Sequence, residues 1–417
     1  MSNNRRYARM EFPDLLERFL SYVKIDTRSD PDSDTFPSTE KQFDLARKLD
    51  SELDDMGLTD VGVNNYGYVT GFLETNQDSE MPVIALIAHM DTSPDVTGTG
   101  VNPKIHRDYD GKDIRLSADL VLPVEDNPLL KEKTGETIIT TDGSTLLGAD
   151  DKAGVAEIMS AVNFLVKNPE YPRPNIKILF TPDEEVGRGA DRITVEEIGA
   201  DAGYTIDGEK LGELEDETFC ADSVDIKIKG INVHPGYAKG KMLNALKIAA
   251  EIIEGLPQGV SAPENTEKRE GYIHPHVLTA SVDEANIQML IRDFEEKGLI
   301  EKEKLIGEVV NRISDKYPKA EISMVVNESY RNMKQVLDKH PEVLEKAEKA
   351  IEAAGLTPCR TSIRGGTDGA RLSFMGLPTP NLFTGGHNFH SRFEWIALED
   401  MEKAAEVIVR LMKVWTE

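Results

Sequence analysis

Several acidic and imidazole side chains in this chain stand directly after apolar runs. His89 and Asp91 follow VIALIA, Glu184 and Glu185 follow the run Ile176–Phe180 through TPD, Asp207 follows YTI, and His390 follows NLF through TGGHNF. A further pair, Asp150 and Asp151, follows GSTLLGA and opens the helical pattern DKAGVAEIMSAVNFLV. Adjacent carboxylates repel, and burying one is costly unless a cation or hydrogen bonds compensate. Gathered together, such residues would bind divalent metal. Imidazole and carboxylate without thiolate suit zinc, manganese or cobalt better than calcium or magnesium. Two ions sharing a bridging carboxylate would use about five such residues and would serve hydrolysis by clamping a water and polarising a carbonyl. One glutamate of the pair would then bind metal while its neighbour takes a proton from the water.

Each signal alone has a plainer reading. An HxD at a strand end is often structural, DD at a helix start matches the helix dipole, EE in a loop is usually solvated, and Asp207-Gly208 is an ordinary turn. Their shared position at the carboxyl ends of strands, where open α/β sheets place their ligand crevices, is what joins them.

The elements that must position these residues follow one grammar, an apolar β-rich run ending in polar residues and leading into a helical pattern, so the fold class is α/β. Strands are expected near 68–73, 83–88, 176–180, 204–206 and 381–383. Helices are expected through FDLARKLDSELDDMG, opened by a capping box of Thr39 and Gln42 and stopped by Gly57, then from Asp150 as an amphipathic helix, over 341–354, and over 397–415. Near residue 218 the texture changes to the alternation SVDIKIK, a strand with one face in water. It continues through the helix MLNALKIAAEIIEGL, a strand near 286–292, a charged helix over 294–316 and a strand at 321–326. The reading is therefore a mixed-sheet α/β catalytic domain (1–218 and 331–417) interrupted by a smaller α+β domain (219–330), with residues 1–10 a disordered extension.

Composition narrows the classes. A chain of 417 residues exceeds one ordinary core, and a net charge of −27 opposes nucleic acid and anionic membranes as partners. No apolar stretch reaches the roughly 18 to 20 residues of a membrane span, and no secretory signal is read at MSNNRRYARM. Cys220 and Cys359 form no CxxC, which favours a reducing cytoplasm. Neither GxGxxG, GxxxxGK[ST] nor GxSxG occurs, against nucleotide-binding oxidoreductases and serine hydrolases.

From about residue 11 the chain resembles the co-catalytic di-zinc peptidase family, specifically its tripeptide aminopeptidases. The resemblance rests on HMDTSPD, TTDGSTLLGADDKAGVAEIM, FTPDEEVGRGA, YTIDG, VHPGYAKGKMLNAL, IRGGTDGARLSFMGLP and PNLFTGGHNFH. It implies that the inserted domain is a lid or dimerisation domain, that the protein is a homodimer, and that it hydrolyses the N-terminal residue from tripeptides with two zinc ions per subunit. It implies His89, Asp150, Glu185, Asp207 and His390 as metal ligands. Asp150 would bridge, His89 and Asp207 would hold one ion, and Glu185 and His390 the other. Glu184 would be the general base, and the Asp150–Asp151 peptide would be cis. Asp91, two residues past His89 on the same strand face, would fix the imidazole tautomer through its carboxylate. His387 occupies the first histidine position of GGHNFH, where relatives carry an aromatic residue, and would be a polar neighbour or an alternative ligand. His234 in VHPG matches a histidine that supports the oxyanion from a partner subunit; its plainer reading is a helix-start residue ahead of Pro235. Arg292 and Arg364 would be forks for the peptide carboxylate and Asn244 a contact for its backbone, with Lys239 a weaker candidate. His106, His274, His276 and His340 read as surface groups. The competing readings are a dipeptidase, carboxypeptidase or N-acyl amino-acid hydrolase on the same metal centre, or a non-catalytic binding protein of the same fold.

Overall fold

A computed structural model describes residues 10–257 and 261–417. The expected N-terminal extension, apart from Met10, lies outside them. The chain divides into two compact units. The first holds the chain to Asp216 with Gln335–Thr361 and Thr367–Glu417; the second holds Glu217–Lys334 and Ser362–Gly366. The division thus falls after 216 and 334 rather than after 218 and 330. The segment Ser362–Gly366, read as part of the catalytic domain, groups with the second unit because the Arg364 guanidinium donates to the carbonyls of Thr266, Lys268 and Glu270.

The strands that matter here are β1 (Thr59–Val63), β2 (Val69–Leu73), β3 (Val83–His89), β4 (Asn175–Thr181), β5 (Ala202–Gly208) and β6 (Glu213–Thr218). They are followed by β7 (Cys220–Lys229), β8 (Tyr272–Ala280), β9 (Glu284–Asp293) and β10 (Glu321–Tyr330), then β11 (Cys359–Ile363) and β12 (Asn381–Phe383). One eight-stranded mixed sheet runs in the order β1-β2-β4-β3-β5-β12-β6-β11. Its four middle strands are parallel, and His89 pairs with Thr181 across β3 and β4. Parallel strands are covered on both faces and read as continuous apolar runs; in β3 and β4 Ile84, Leu86, Ile87, Ile178 and Phe180 are fully buried. After β3 the chain adds β4 on one side and β5 on the other. The crevice at such a reversal lies beyond the carboxyl ends of the strands.

The helices are α1 (Leu15–Tyr22), α2 (Gln42–Asp55), α3 (Ala149–Lys167), α4 (Ala245–Glu254), α5 (Glu296–Lys316), α6 (Pro341–Ala353), α7 (Asp368–Met375) and α8 (Leu398–Val414), with shorter helical turns between them. The α3 pattern read as amphipathic is buried on nearly all sides from Ala149 to Leu165. The reason is its place, packed against β3, β5, α1 and α8, where no face meets water. Gly154 permits this approach: a Cβ there would stand 1.9 Å from the Ile206 carbonyl oxygen of β5. The expected capping box at α2 does not form. Thr39 Oγ1 donates to the Arg28 carbonyl, and Gln42 turns its amide to Asp183, 141 residues away in sequence. Gly57 does end the helix, in the left-handed conformation at φ 80°.

The second unit carries an antiparallel sheet in the order β8-β9-β7-β10. Along β7 the side chains of Val224, Ile226 and Ile228 pack with Ile248 and Ile252 of α4 and Leu299 and Ile306 of α5. The alternate positions, such as Lys227 and Lys229, are exposed.

Candidate metal centre

The carboxyl ends of β3, β4 and β5 and the start of α3 deliver one cluster within the first unit. His89 Nε2 lies 2.9 Å from Asp150 Oδ1 and 3.5 Å from Asp207 Oδ1. His390 Nε2 lies 3.1 Å from Asp150 Oδ2 and 2.8 Å from Glu185 Oε2. The two oxygens of Asp150 therefore face different imidazoles. The Asp150–Asp151 peptide is cis, as the resemblance implies. His390 is set by a left-handed residue conformation, φ 59°, and its Nδ1 is 3.4 Å from Asp95 Oδ2.

The two adjacent glutamates part ways. Glu185 is tied to His390 and keeps a buried Oε1 with no hydrogen-bond partner. Glu184 makes no side-chain hydrogen bond or ion pair among the described residues. Their backbone is held from below by Asp91, which is fully buried and accepts from the N–H of Glu184 at 3.0 Å and of Glu185 at 3.2 Å. The His89 ring meets two oxygens of Asp91. Its Nδ1 is 3.1 Å from the Asp91 backbone carbonyl and 3.4 Å from Asp91 Oδ1, so the carbonyl is its closer acceptor. The carboxylate's hydrogen bonds go to the glutamate turn.

Several positioning groups gave no clear signal in the sequence. Asp183 opens that turn at φ 58°, and its buried carboxylate accepts from Ser38 N–H, Ser38 Oγ, Gln42 Nε2 and Arg188. Glu394 accepts from the N–H groups of Leu147, Gly148 and Asp150, fixing the loop ahead of the cis bond. Asp151 Oδ2 accepts from the His89 N–H and Oδ1 from the Gly154 N–H. Asp368 lies against Gly189, where a Cβ would come within 2.1 Å of its Oδ1.

Charge decides what the cluster can hold. Burial works to raise the Asp150 carboxyl, but bonds to His390 and His89 outweigh it and hold it below the ordinary carboxylate range. Burial, with Asp150 beside it, pushes Glu185 to about 8 against the pull of His390. Burial pushes Asp207 to about 6 and drives Glu184 well above the usual range, with His89 opposing and Asp207, Asp368 and Glu185 adding. Burial disfavours the charged His390 ring, yet Asp150 and Glu185 lift it to about 11. The bare cluster thus balances buried carboxylates with protons. A divalent cation would supply that positive charge instead, and the donor atoms already converge. His89, Asp150 and Glu185, and His89, Asp151 and Asp207, each offer ligand atoms within 4.8 Å of one another. The second triad brings in Asp151, which the sequence pairs with Asp150 but which the resemblance does not make a ligand; its oxygens are already engaged by backbone N–H groups. Oxygen and imidazole donors with no thiolate fit zinc, manganese or cobalt.

The family follows from comparison. Residues 132–414 match the model of peptidase family M20/M25/M40. The chain belongs to this family. It is 48% identical over 403 residues to a protein named Peptidase T from Caldanaerobacter subterraneus subsp. tengcongensis, covering 96% of this chain and 98% of the relative. It is 49% identical to a Peptidase T from Halothermothrix orenii over the same shares. Among solved structures, aminopeptidase PepT from Bacillus cereus superposes with a TM-score of 0.75 at 24% identity, covering 98% of this chain and 100% of that one. A tripeptidase from Staphylococcus aureus gives 0.77 at 22% with the same coverage. The family makes this chain a metal-dependent hydrolase, with the fold these structures share.

The remaining expected residues fall elsewhere. His387 is buried, lies against Trp395 with ring centroids 4.2 Å apart and planes tilted by 36°, and is pushed down to about 4 by burial and then by Lys133 and Lys210. It enters neither candidate ligand group. His234, Asn244, Arg292 and Arg364 all belong to the second unit. His234 caps the short helical turn Pro235–Tyr237 by accepting from the Gly236 N–H. Asn244 caps α4 by accepting from the Lys247 N–H. Arg292 donates to the carbonyls of Asp222 and Ile291 and lies over the Tyr330 ring. Arg364 also donates to Thr266 Oγ1 and lies over Phe219. Among the described residues, no helix is long and apolar enough to cross a membrane.

Proposed function

We propose that this protein removes the N-terminal residue from tripeptides, with two zinc ions held by His89, Asp150, Glu185, Asp207 and His390 and with Glu184 as general base. The relatives named Peptidase T and the solved tripeptidase support the substrate class. The observation that carries the division of labour is the contrast between Glu185, bonded to His390, and Glu184, whose carboxylate is unengaged. Asp150, with one oxygen toward each imidazole, is the bridging ligand.

Ions held by these residues would polarise the scissile carbonyl and lower the pKa of the attacking water. Glu184 takes the proton that this water loses on attack and returns it to the departing amine. Asp91 keeps Glu184 and Glu185 at fixed heights by binding both backbone N–H groups. Asp183 and Gln42 brace the same turn. Glu394 holds the Asp150 backbone.

The second unit serves as lid and dimerisation domain, and His234 of the partner subunit supports the developing oxyanion. Its capping bond uses Nδ1, which leaves Nε2 for that task. Arg292 and Asn244 recognise the peptide's carboxylate and backbone. Arg364 commits its guanidinium to the loop over residues 266–270, so a fork there requires that loop to release it. The compartment is the cytoplasm.

The test is product analysis by mass spectrometry with free and N-acetylated forms of a dipeptide, a tripeptide and a tetrapeptide, before and after metal stripping and zinc restoration. Release of the first residue from the free tripeptide alone, lost and regained with metal, is the expected result. Cleavage of a blocked or different-length peptide would move the substrate assignment to another member of the family.

A further inference from the structure

No side chain among the described residues engages the Glu184 carboxylate, so its place depends on the backbone that carries it. That backbone is a single turn. It is closed where the Gly187 N–H donates to the Glu184 carbonyl at 2.6 Å and the Arg188 N–H to the Asp183 carbonyl at 2.9 Å. Asp91 and Asp183 hold its entry. Its exit meets α7. Arg371 donates to the Gly187 carbonyl and to the Asp191 carboxylate. Asp368, three residues earlier and so on the same helix face, lies against Gly189. Two side chains of one helix thus meet residues 187, 189 and 191 in succession.

The helix is itself fixed. Thr367 caps it by accepting from the Ala370 N–H, Leu372 is fully buried, and a Cβ on Gly369 would stand 2.7 Å from the Thr379 carbonyl oxygen. The ion pair leaves the Arg371 and Asp191 side chains 33% and 34% exposed, and pairs so open to water add little stability. What Arg371 can supply is placement, because it ties the carbonyl of the residue that closes the Glu184 turn to a fixed helix.

We infer that Arg371 is a positioning residue for the general base, holding the Glu184 turn at its exit as Asp91 holds it at its entry, with Asp191 orienting the guanidinium. The inference rests on the assignment of Glu184 as base and deepens it. A carboxylate with no partner of its own moves with its backbone, and a displacement of about 1 Å at a reacting group costs on the order of 100-fold in rate. The hydrogen bonds of Arg371 go to Gly187 and Asp191 and not to a candidate metal ligand. Its loss therefore acts on kcat through Glu184 and spares the binding of metal and peptide.

A double-mutant cycle tests this, with kcat and KM for the tripeptide Leu-Gly-Gly measured on zinc-loaded wild type, Arg371→Ala, Glu184→Gln and the two substitutions combined. Arg371→Ala lowers kcat about tenfold or more, while KM, zinc content and the urea midpoint stay near those of the wild type. In the Glu184→Gln background the same substitution costs less than about twofold, because the group it positions is gone. Arg371→Lys keeps the charge and can reach one of the two acceptors, so it loses less; it closes the same cycle if the alanine variant does not fold. A normal kcat in Arg371→Ala, a raised KM without a fall in kcat, or the same fold loss in both backgrounds overturns the inference. Glu184→Gln at the wild-type rate overturns the base assignment, and a wild type that shows no metal-dependent release of the first residue overturns the tripeptide reading; the inference falls with either.

Discussion

Asp91→Asn separates two accounts of a buried carboxylate. In the structure Asp91 accepts one hydrogen bond from each of the Glu184 and Glu185 N–H groups. Asparagine keeps one carbonyl oxygen and turns an NH₂ group toward the other N–H. One charge-assisted bond is lost and a buried donor is left facing a donor, about 2 to 3 kcal/mol in all. The turn relieves the clash by moving, and a displacement of about 1 Å at a reacting group costs on the order of 100-fold in rate. The His89 ring loses little, because its closer Nδ1 partner is the Asp91 backbone carbonyl. The variant is therefore expected to show a lower denaturation midpoint and a kcat reduced about 100-fold at saturating zinc. Its zinc affinity should fall less than tenfold, below the 10- to 100-fold expected when a partner that orients a ligand is removed. Zinc titration with kinetics at saturating metal reads both quantities. A large loss of zinc affinity with normal kcat would refute this reasoning and restore the carboxylate as the tautomer-fixing group.

Other variants probe separate parts of the site. Glu184→Gln should keep its metal content and KM while kcat falls by about 10² to 10⁴, read by elemental analysis and kinetics; loss of metal would show that Glu184 is a ligand. Gly154→Ala should cost at least about 1 to 3 kcal/mol, because its Cβ meets the backbone oxygen of Ile206; a wild-type urea midpoint would contradict the close packing of α3 on β5. His387 titrates at about 4 when folded, below its usual value near 6.5. Its neutral form is thus favoured by folding, and this stability is present above about pH 6.5 and is lost as the pH falls toward 4. In metal-free protein, His387→Phe should flatten that loss, and identical pH profiles of the urea midpoint would remove His387 from the account.

The parts of the site legible in the sequence were those announced by strand ends. His89, Glu184, Glu185 and Asp207 follow buried parallel strands whose apolar runs are hard to mistake, and Asp150 opens a helix. His390 and its rank above His387 came from resemblance, since no local pattern separates the two histidines of GGHNFH. What stayed hidden depends on contacts between distant segments. Asp183 with Ser38 and Gln42, and Glu394 with Leu147, Gly148 and Asp150, are joined only by the fold, and the local pairing of Thr39 with Gln42 offered a competing explanation. The all-round burial of α3 was likewise unreadable, because Lys152, Glu157 and Asn163 are polar residues that the fold nevertheless buries. Arg364 looked like a free cation until its guanidinium was seen bound to the loop over residues 266–270.

The central claim is a pair of ions bridged by Asp150. A crystal structure of zinc-loaded protein, with anomalous differences measured on both sides of the zinc absorption edge, tests it most directly. The account predicts two zinc peaks per subunit, one beside His89 and Asp207 and the other beside Glu185 and His390. Both would share Asp150, with Glu184 unligated. A single peak, or ions held by Asp151 or His387 in place of Asp150 or His390, would contradict it.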